Sequence, residues 1–346
     1  MIPEEKIFAI LSRHLTGFNP VGELQPLMGG NLNHVWRLQG QEQSLIIKYA
    51  PPHIATNPEV PLSPKRLTFE ARALALFADD QSLHPLASDE VRPPRRLHFD
   101  RSNHLLIMED MGGLPSLADW IEEGIETAPG QRLGRFIGQL HCQTYGNDTL
   151  AKQFHNRDIQ QVRQKVQYNP AADYLSQTVL GDVDFNLVAQ KTKALGQKLL
   201  EPGKCLVMGD LWPPSVLVDN GMLRLIDWEF AHFGRPLQDV GHFAAHCWMQ
   251  AHRSEEGSRF RKLWETFWTA YQQVLGDTFE QLFDKAERDA MATHAGAEIW
   301  VRAAGPFQEG YVYEGLAAEE LPIREAIARA VELIVADDNT ALGDDW

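Results

Sequence analysis

The sequence is short of cysteine, short of basic residues relative to acidic ones, and without an apolar run long enough to span a bilayer. Its 346 residues hold three cysteines, Cys142, Cys205 and Cys247, too few and too scattered for a disulfide framework. No CxxC pair occurs, which removes a zinc ribbon. Both absences point to a reduced, cytoplasmic protein. Lysine and arginine total 32 against 47 aspartates and glutamates, a formal charge of −15. Such a chain repels polyanions, which argues against nucleic acid or an anionic membrane as partner. An anionic small ligand would need locally placed cations, backbone N–H groups or a metal. The opening stretch MIPEEKIFAILSRHL reads as an amphipathic helix with acids near its start, and it lacks the parts of a signal peptide. No internal repeat and no low-complexity segment is visible.

What is present is ordinary globular composition, 44% hydrophobic and 23% charged, in a chain long enough for two cores. The first third reads as strands: 24–28, His34–Leu38 and Ser44–Lys48, then Arg96–Phe99 and His104–Met108 around a turn at Asp100–Asn103. A proline-rich loop, Pro51–Pro61, precedes Ser63-Pro64, which reads as an N-cap and first helical residue. Leu67, Ala71, Leu74 and Phe77 give the following helix an apolar face. From about Gly112 the spacing turns helical. It is interrupted by a hairpin-like stretch containing Cys205–Val207, Val216–Val218, the turn Asp219-Asn220-Gly221 and Leu223–Ile226. After Gly241 the chain is nearly all helix to Val335, with an acidic tail. The division expected is an N-terminal lobe over 1–108, a hinge at 109–113 and a helical lobe over 114–346, with a ligand cleft between lobes.

The chemistry-bearing residues follow that order. Asp210 sits in a loop after an apolar strand, Ser215 lies five positions on, and Asp227 ends the next hairpin strand. One carboxylate can take a proton from a hydroxyl, and another can bind Mg²⁺ through hard oxygen. Glu229, two residues after Asp227, would share its face in an extended stretch and is a second metal candidate, as is Ser215. Phosphoryl transfer requires this division of labour. Lys48 ends an apolar strand, where a cation needs a partner; Glu70 on the next helix can supply it, holding Lys48 against phosphates. Gly29-Gly30-Asn31-Leu32-Asn33, between two strands, can fold backbone N–H groups over a phosphate. Ile107–Met111, with Met108, Glu109 and Asp110, can offer a backbone edge to adenine. Taken singly, each has a plainer reading: hairpin turn, surface lysine, turn aspartate, core tryptophans for Trp212 and Trp228, helix-face histidines for His141, His242 and His246. Their order and spacing carry the argument.

These residues resemble the aminoglycoside phosphotransferase and choline kinase superfamily, and within it the methylthioribose kinases. Met208-Gly209-Asp210 stands where the superfamily usually has His-Gly-Asp. Gly30–Asn33, the stretch SLIIKYAPP with Phe69–Leu74, Gly209-Asp210-Leu211 with Ser215, and Asp227-Trp228-Glu229 with Asp239-Val240-Gly241 are similar to the loop, strand, catalytic and metal segments of methylthioribose kinases. Arg302 falls where those enzymes place a substrate-binding arginine pair, with Val301 in place of the first arginine. The resemblance implies a two-lobe protein-kinase-like α+β fold, ATP and Mg²⁺ as cofactors, a small-molecule acceptor near Trp212 and Arg302, and a homodimer. It leaves the acceptor open among methylthioribose, another sugar, an aminoglycoside, and choline or ethanolamine. A nucleotide-binding pseudokinase is the non-enzyme alternative.

Overall fold

The computed structural model describes residues 2–27, 31–124, 128–178 and 183–336. The chain divides into two compact units, Met1–Leu114 with Arg224–Ala231, and Pro115–Leu223 with His232–Trp346. The segment carrying Asp227 and Glu229 thus packs with the strand-rich unit.

In the first unit, helix α1 (Glu4–His14) is followed by strands β1 (Gln25–Pro26), β2 (His34–Gln39) and β3 (Ser44–Tyr49). A small hairpin, β4 (His53–Ile54) with β5 (Asn57–Pro61), leads to helix α2 (Arg66–Leu76). Strands β6 (Val91–Arg92), β7 (Arg96–Asp100) and β8 (Leu105–Glu109) follow. Five strands form an antiparallel sheet in the order β1-β2-β3-β8-β7. The two-residue side-chain period splits β3 between the faces of that sheet. Leu45 and Ile47 join Leu38, Leu105 and Ile107 against Ile7, Ile10 and Leu11 of α1. Ile46 and Lys48 therefore face the other way, the side on which α2 packs against β7 and β8. Helix α1 suits its place: acids in the first turn and Arg13 and His14 in the last complement the helix dipole.

Two local expectations change. The proline-rich loop contains the β4–β5 hairpin, whose five β5 residues are all exposed. Prolines are tolerated on such an edge because no second neighbour needs their missing N–H. Helix α2 starts at Arg66, not at Pro64. Ser63 and Pro64 form the turn before it, their carbonyls accepting from the Arg66 and Leu67 N–H groups.

The second unit runs through α3 (Leu117–Glu123), α4 (Ala128–Thr144), α5 (Asp148–Gln153) and α6 (Arg157–Arg163). A π-type turn, Gln164–Tyr168, comes directly after, then α7 (Ala171–Thr178) and α8 (Phe185–Lys198). Strands β9 (Cys205–Val207), β10 (Val216–Asp219), β11 (Met222–Leu225) and β12 (His232–Gly234) come next, the end of β11 returning the chain to the first unit. Helices α9 (Leu237–Arg253), α10 (Gly257–Leu275), α11 (Phe279–Leu282), α12 (Lys285–Ala303) and α13 (Leu321–Val335) complete it. Asn220 and Gly221 both have positive φ, 49° and 81°, as a two-residue hairpin turn requires. Strand β9, expected beside that hairpin, pairs instead with β12, Leu206 opposite Phe233. Three-residue strands carry too little pattern to specify a partner, so the tertiary fold chooses it.

Helices α4 and α10 pack closely because Gly130, Gly134 and Gly138 recur every four residues on one face of α4. A Cβ on Gly134 would lie 2.2 Å from the Phe267 carbonyl oxygen of α10. The neighbour is backbone and cannot swing away. Gly134→Ala should therefore destabilise the protein by about 1–3 kcal/mol through overpacking, read as a lower urea midpoint with an unchanged slope.

Candidate active site

Within the first unit, the Lys48 side chain is 5% exposed and its ammonium donates to Glu70 Oε1 at 2.8 Å. It also donates to Asp227 Oδ1. Burying one ammonium alone is prohibitive, and two carboxylates offset that cost. Burial by itself would lower the Lys48 pKa; Asp227, Glu70 and Glu229 overcome it and raise it, so the cation stays charged. Asp227 reaches this position through a left-handed backbone, φ 64°, a conformation that costs a non-glycine residue about 1–2 kcal/mol. The next residue, Trp228, is fully buried, with Nε1 donating to the Leu225 carbonyl at 2.9 Å and its ring edge-on to Phe77.

Glu229 completes this cluster. Asn33 Nδ2 donates to its Oε2 at 2.9 Å, and Arg66 Nε lies 3.4 Å from the same oxygen. Burial, reinforced by Glu70 and Asp227 and opposed by Lys48 and Arg66, pushes its carboxyl up to about 7. Asn31 accepts from the Thr56 N–H at 3.2 Å. Gly29 and Gly30 lie outside the described residues. Met108 is inside the sheet, opposite Ile46 on one side and Arg96 on the other. Glu109 accepts from Arg92 and Arg95, and Asp110 from Arg37 Nε at 2.6 Å, Ser44 Oγ at 2.6 Å and the Gly112 N–H at 2.9 Å. Both acidic side chains are thus taken up in shaping the connection.

Asp210 centres a second cluster, within the second unit. Its loop is held by Asp239, a fully buried carboxylate that accepts the Met208 N–H at 2.9 Å and the Gly209 N–H at 2.7 Å. His141 Nε2 lies 3.1 Å from Asp239, and its Nδ1 2.9 Å from the Tyr271 hydroxyl. Gly209 takes φ 82°, which turns the chain and delivers Asp210. Arg163 donates to the Gly209 carbonyl at 2.6 Å and to Asp210 Oδ1 at 2.8 Å, and His242 Nε2 lies 3.2 Å from that oxygen. Burial would raise the Asp210 pKa, but His242, Arg163 and Arg302 together bring it down to about 2. Ser215 turns its hydroxyl into its own loop, donating to the Trp212 carbonyl at 2.9 Å and accepting from the Trp212 N–H at 3.3 Å.

Arg302 is placed beside this carboxylate. Its guanidinium lies 4.7 Å from the Trp212 ring, 5.5 Å from Tyr311 and 5.7 Å from Phe307, and Nε donates to Glu298 at 2.8 Å. Glu298, 3% exposed, also accepts from Gln167 Nε2 at 2.9 Å and lies 3.2 Å from His246 Nε2. Among the described residues, His242, His246 and Glu298 are the one group of three histidine, cysteine or carboxylate side chains whose donor atoms come near enough to share a metal ion. Arg302, Gln167 and His246 already occupy Glu298, and Arg163 and Arg302 make the surroundings cationic, which suits a hydrogen-bonded network better than a divalent ion.

The structure therefore gathers Asn33, Lys48, Glu70, Asp227 and Glu229 in one unit, and Asp210, Trp212, Ser215 and Arg302 in the other. Sequence reasoning missed Arg66, Arg163 and Tyr311, named Asp239 and Glu298 only within stretches of resemblance and gave them no role, and placed His141, His242 and His246 on helix faces; all three are buried in polar networks. Asp239 carried one signal, an acid in the first turn of α9 with no local partner.

Residues 23–276 match the family model described as "Phosphotransferase enzyme family". The chain belongs to that family of phosphotransferases, and is a small-molecule kinase. It is 27% identical over 271 residues to a 4-hydroxytryptamine kinase of Psilocybe cyanescens, covering 72% of this chain and 73% of that protein. It is 27% identical over 308 residues to a methylthioribose kinase of Exiguobacterium sibiricum, covering 82% and 74%. Among solved structures it resembles amicoumacin kinase hAmiN in complex with AMP-PNP, Ca²⁺ and Ami, with a TM-score of 0.54, 15% identity and 97% of each chain covered. An AMP-bound spectinomycin phosphotransferase superposes with a TM-score of 0.53 and 12% identity, over 97% of this chain and 99% of that one. The fold is accordingly the two-lobe protein-kinase-like α+β fold. Among the described residues no helix is long and apolar enough to cross a membrane.

The depressed Asp210 pKa has a sign. Its ionised form is stabilised by the fold, so the contribution is present above about pH 4 and is lost as pH falls through about 2. Asp210→Asn should cost about 2 kcal/mol at pH 7. The gap between mutant and wild type should close as urea titrations are repeated toward pH 2.

Proposed function

We propose that the protein transfers the γ-phosphoryl group of ATP, taken as its Mg²⁺ complex, to a hydroxyl of a neutral, sugar-like metabolite, with 5-methylthioribose the first candidate. The observation that carries the acceptor class is the Arg163 guanidinium on Asp210, with that of Arg302 set against the ring of Trp212 from the same loop. A polycationic aminoglycoside or a quaternary amine would meet like charge there. A polyol would find hydrogen-bond donors and the aromatic surfaces of Trp212, Tyr311 and Phe307. The methylthioribose kinase relatives favour the same class.

Asp210 orients the acceptor hydroxyl and receives its proton. Its low pKa makes it a weak base, suited to phosphoryl transfer, where the proton leaves late and positioning counts more than abstraction. On the nucleotide side, Lys48 binds phosphate oxygens and Glu70 keeps its ammonium in place. The backbone through Asn31–Asn33 covers the phosphates, and the connection at Met108–Asp110 receives adenine. Asp227 and Glu229 fit Mg²⁺: both are hard oxygen donors, and Asp227, 42% exposed, commits only one oxygen to Lys48. Bound there, the ion neutralises charge on the polyphosphate. Ser215 serves by bracing the Asp210 loop, since its hydroxyl is engaged within it.

One other acceptor class has a specific observation in its favour: two relatives are 4-hydroxytryptamine kinases. Product analysis with ATP, Mg²⁺ and each of 5-methylthioribose, 4-hydroxytryptamine, an aminoglycoside and choline separates the readings. Phosphorylation of 5-methylthioribose is expected, and Asp210→Asn should lower kcat by about 10²–10⁴ while ATP binding survives. Turnover of 4-hydroxytryptamine alone would replace the sugar-like acceptor. Tight ATP binding without turnover on any of the four would favour a pseudokinase.

A further inference from the structure

Arg66 makes more polar contacts than any role assigned so far explains. Its side chain is 1% exposed and is the first residue of α2, one helical turn before Glu70. Nη2 donates to the Leu32 carbonyl at 2.6 Å and Nε to the Asn33 side-chain oxygen at 3.0 Å, both in the segment after the glycine pair. Nη1 donates to the carbonyls of Ser63 at 2.9 Å and Pro51 at 3.2 Å, which flank the β4–β5 hairpin. Nε also lies 3.4 Å from Glu229 Oε2, the atom that Asn33 Nδ2 contacts. The hairpin in turn reaches the glycine-rich segment: the Ala55 N–H donates to the Leu32 carbonyl at 3.3 Å and the Thr56 N–H to the Asn31 carbonyl at 3.2 Å. A planar fork with five donors can satisfy such a set at once, which a single ammonium cannot.

We propose that Arg66 is a positioning residue that locks the Asn31–Asn33 segment, the β4–β5 hairpin and Glu229 into one rigid unit, so that the backbone over the phosphates and the second metal-side carboxylate keep a fixed register. The inference rests on the reading of Lys48, Asp227, Glu229 and the glycine-rich segment as the nucleotide side. Because Arg66 and Glu70 share one face of α2 four residues apart, the same helix turn sets both the loop and the Lys48 ammonium. Arg66 touches neither nucleotide nor acceptor in this scheme; it acts through the groups it holds.

The test uses the full chain and two variants, Arg66→Lys and Thr56→Val. The first keeps the charge facing Glu229 but loses the fork. The second removes only the hydroxyl that donates to the Asn31 carbonyl at 3.2 Å from an exposed hairpin position. MgATP affinity is measured by calorimetry, and amide hydrogen exchange is followed at Ala55 and Thr56. Arg66→Lys should weaken MgATP about tenfold and Thr56→Val about threefold, for the loss of charge-assisted and neutral hydrogen bonds respectively. Both should speed exchange at Ala55 and Thr56 while α1 and β8 stay protected. A merely structural arginine would lower the melting temperature and speed exchange throughout, leaving the affinity of the folded fraction unchanged. If Arg66→Lys does not fold, Thr56→Val decides. Affinity within about twofold of wild type in the folded variants, or unchanged exchange at the two amides, overturns the proposal. Wild type that fails to bind MgATP overturns the nucleotide-side reading and this inference with it. Wild type that binds while the variants match it removes only the role of Arg66.

Discussion

One buried ammonium organises the first unit. Lys48 stands on the face of β3 opposite the α1 core because strand geometry alternates, and there it needs negative charge within hydrogen-bond reach. Glu70 meets it from α2, and Asp227 meets it from a segment far along the chain, where it takes a left-handed conformation just before a buried tryptophan. Removing either carboxylate would leave an ammonium that cannot return to water with one close counter-charge in place of two. That interdependence explains why residues 224–231 pack with the strand-rich unit although they follow more than a hundred residues of the helical one.

The second unit solves a different problem. Asp210 has to be presented on a loop, yet a loop alone fixes nothing. Asp239 ties the two N–H groups before it, Arg163 ties the carbonyl of Gly209 and one carboxylate oxygen, and the Ser215 hydroxyl closes the far side. The prolines at 213 and 214 then stiffen a turn whose polar groups are already satisfied. Rigidity here comes from buried charge pairs converging from α6 and α9, not from secondary structure within the loop. Glu298 plays the corresponding part on α12, where it sets Arg302 against three aromatic faces.

The legible part of this design is the part with a local pattern. Strand β3 and its terminal lysine, the amphipathic α2, the Asp-Asn-Gly hairpin and the aspartate after it all follow from residue spacing. The meeting of Lys48 with Glu70 could be argued from a cation stranded on an apolar strand. The supporting residues could not. Arg66 looks like any arginine at a helix start, and Asp239, Arg163, Glu298 and the buried histidines acquire meaning mainly from partners 30 to 131 positions away. The β9–β12 pair was hidden for a related reason: three residues do not encode a neighbour. Prolines concealed the β4–β5 hairpin, since proline ordinarily speaks against strand and here sits on an edge that tolerates it.

The π-type turn at Gln164–Tyr168 carries an implication for how this enzyme could drift in evolution. A π turn adds one residue to a helical circuit, so losing one residue there would restore ordinary winding and displace the side chains that the turn now presents. Gln167 would leave Glu298, and Tyr168 would leave His294, to which its hydroxyl now lies 2.6 Å. Single-codon deletions, usually harmless in surface connections, would at this point unseat the support beneath Arg302 without touching any group that meets a ligand. The segment thus ties the placement of Arg302 to chain length, and substitutions alone would not sample that route.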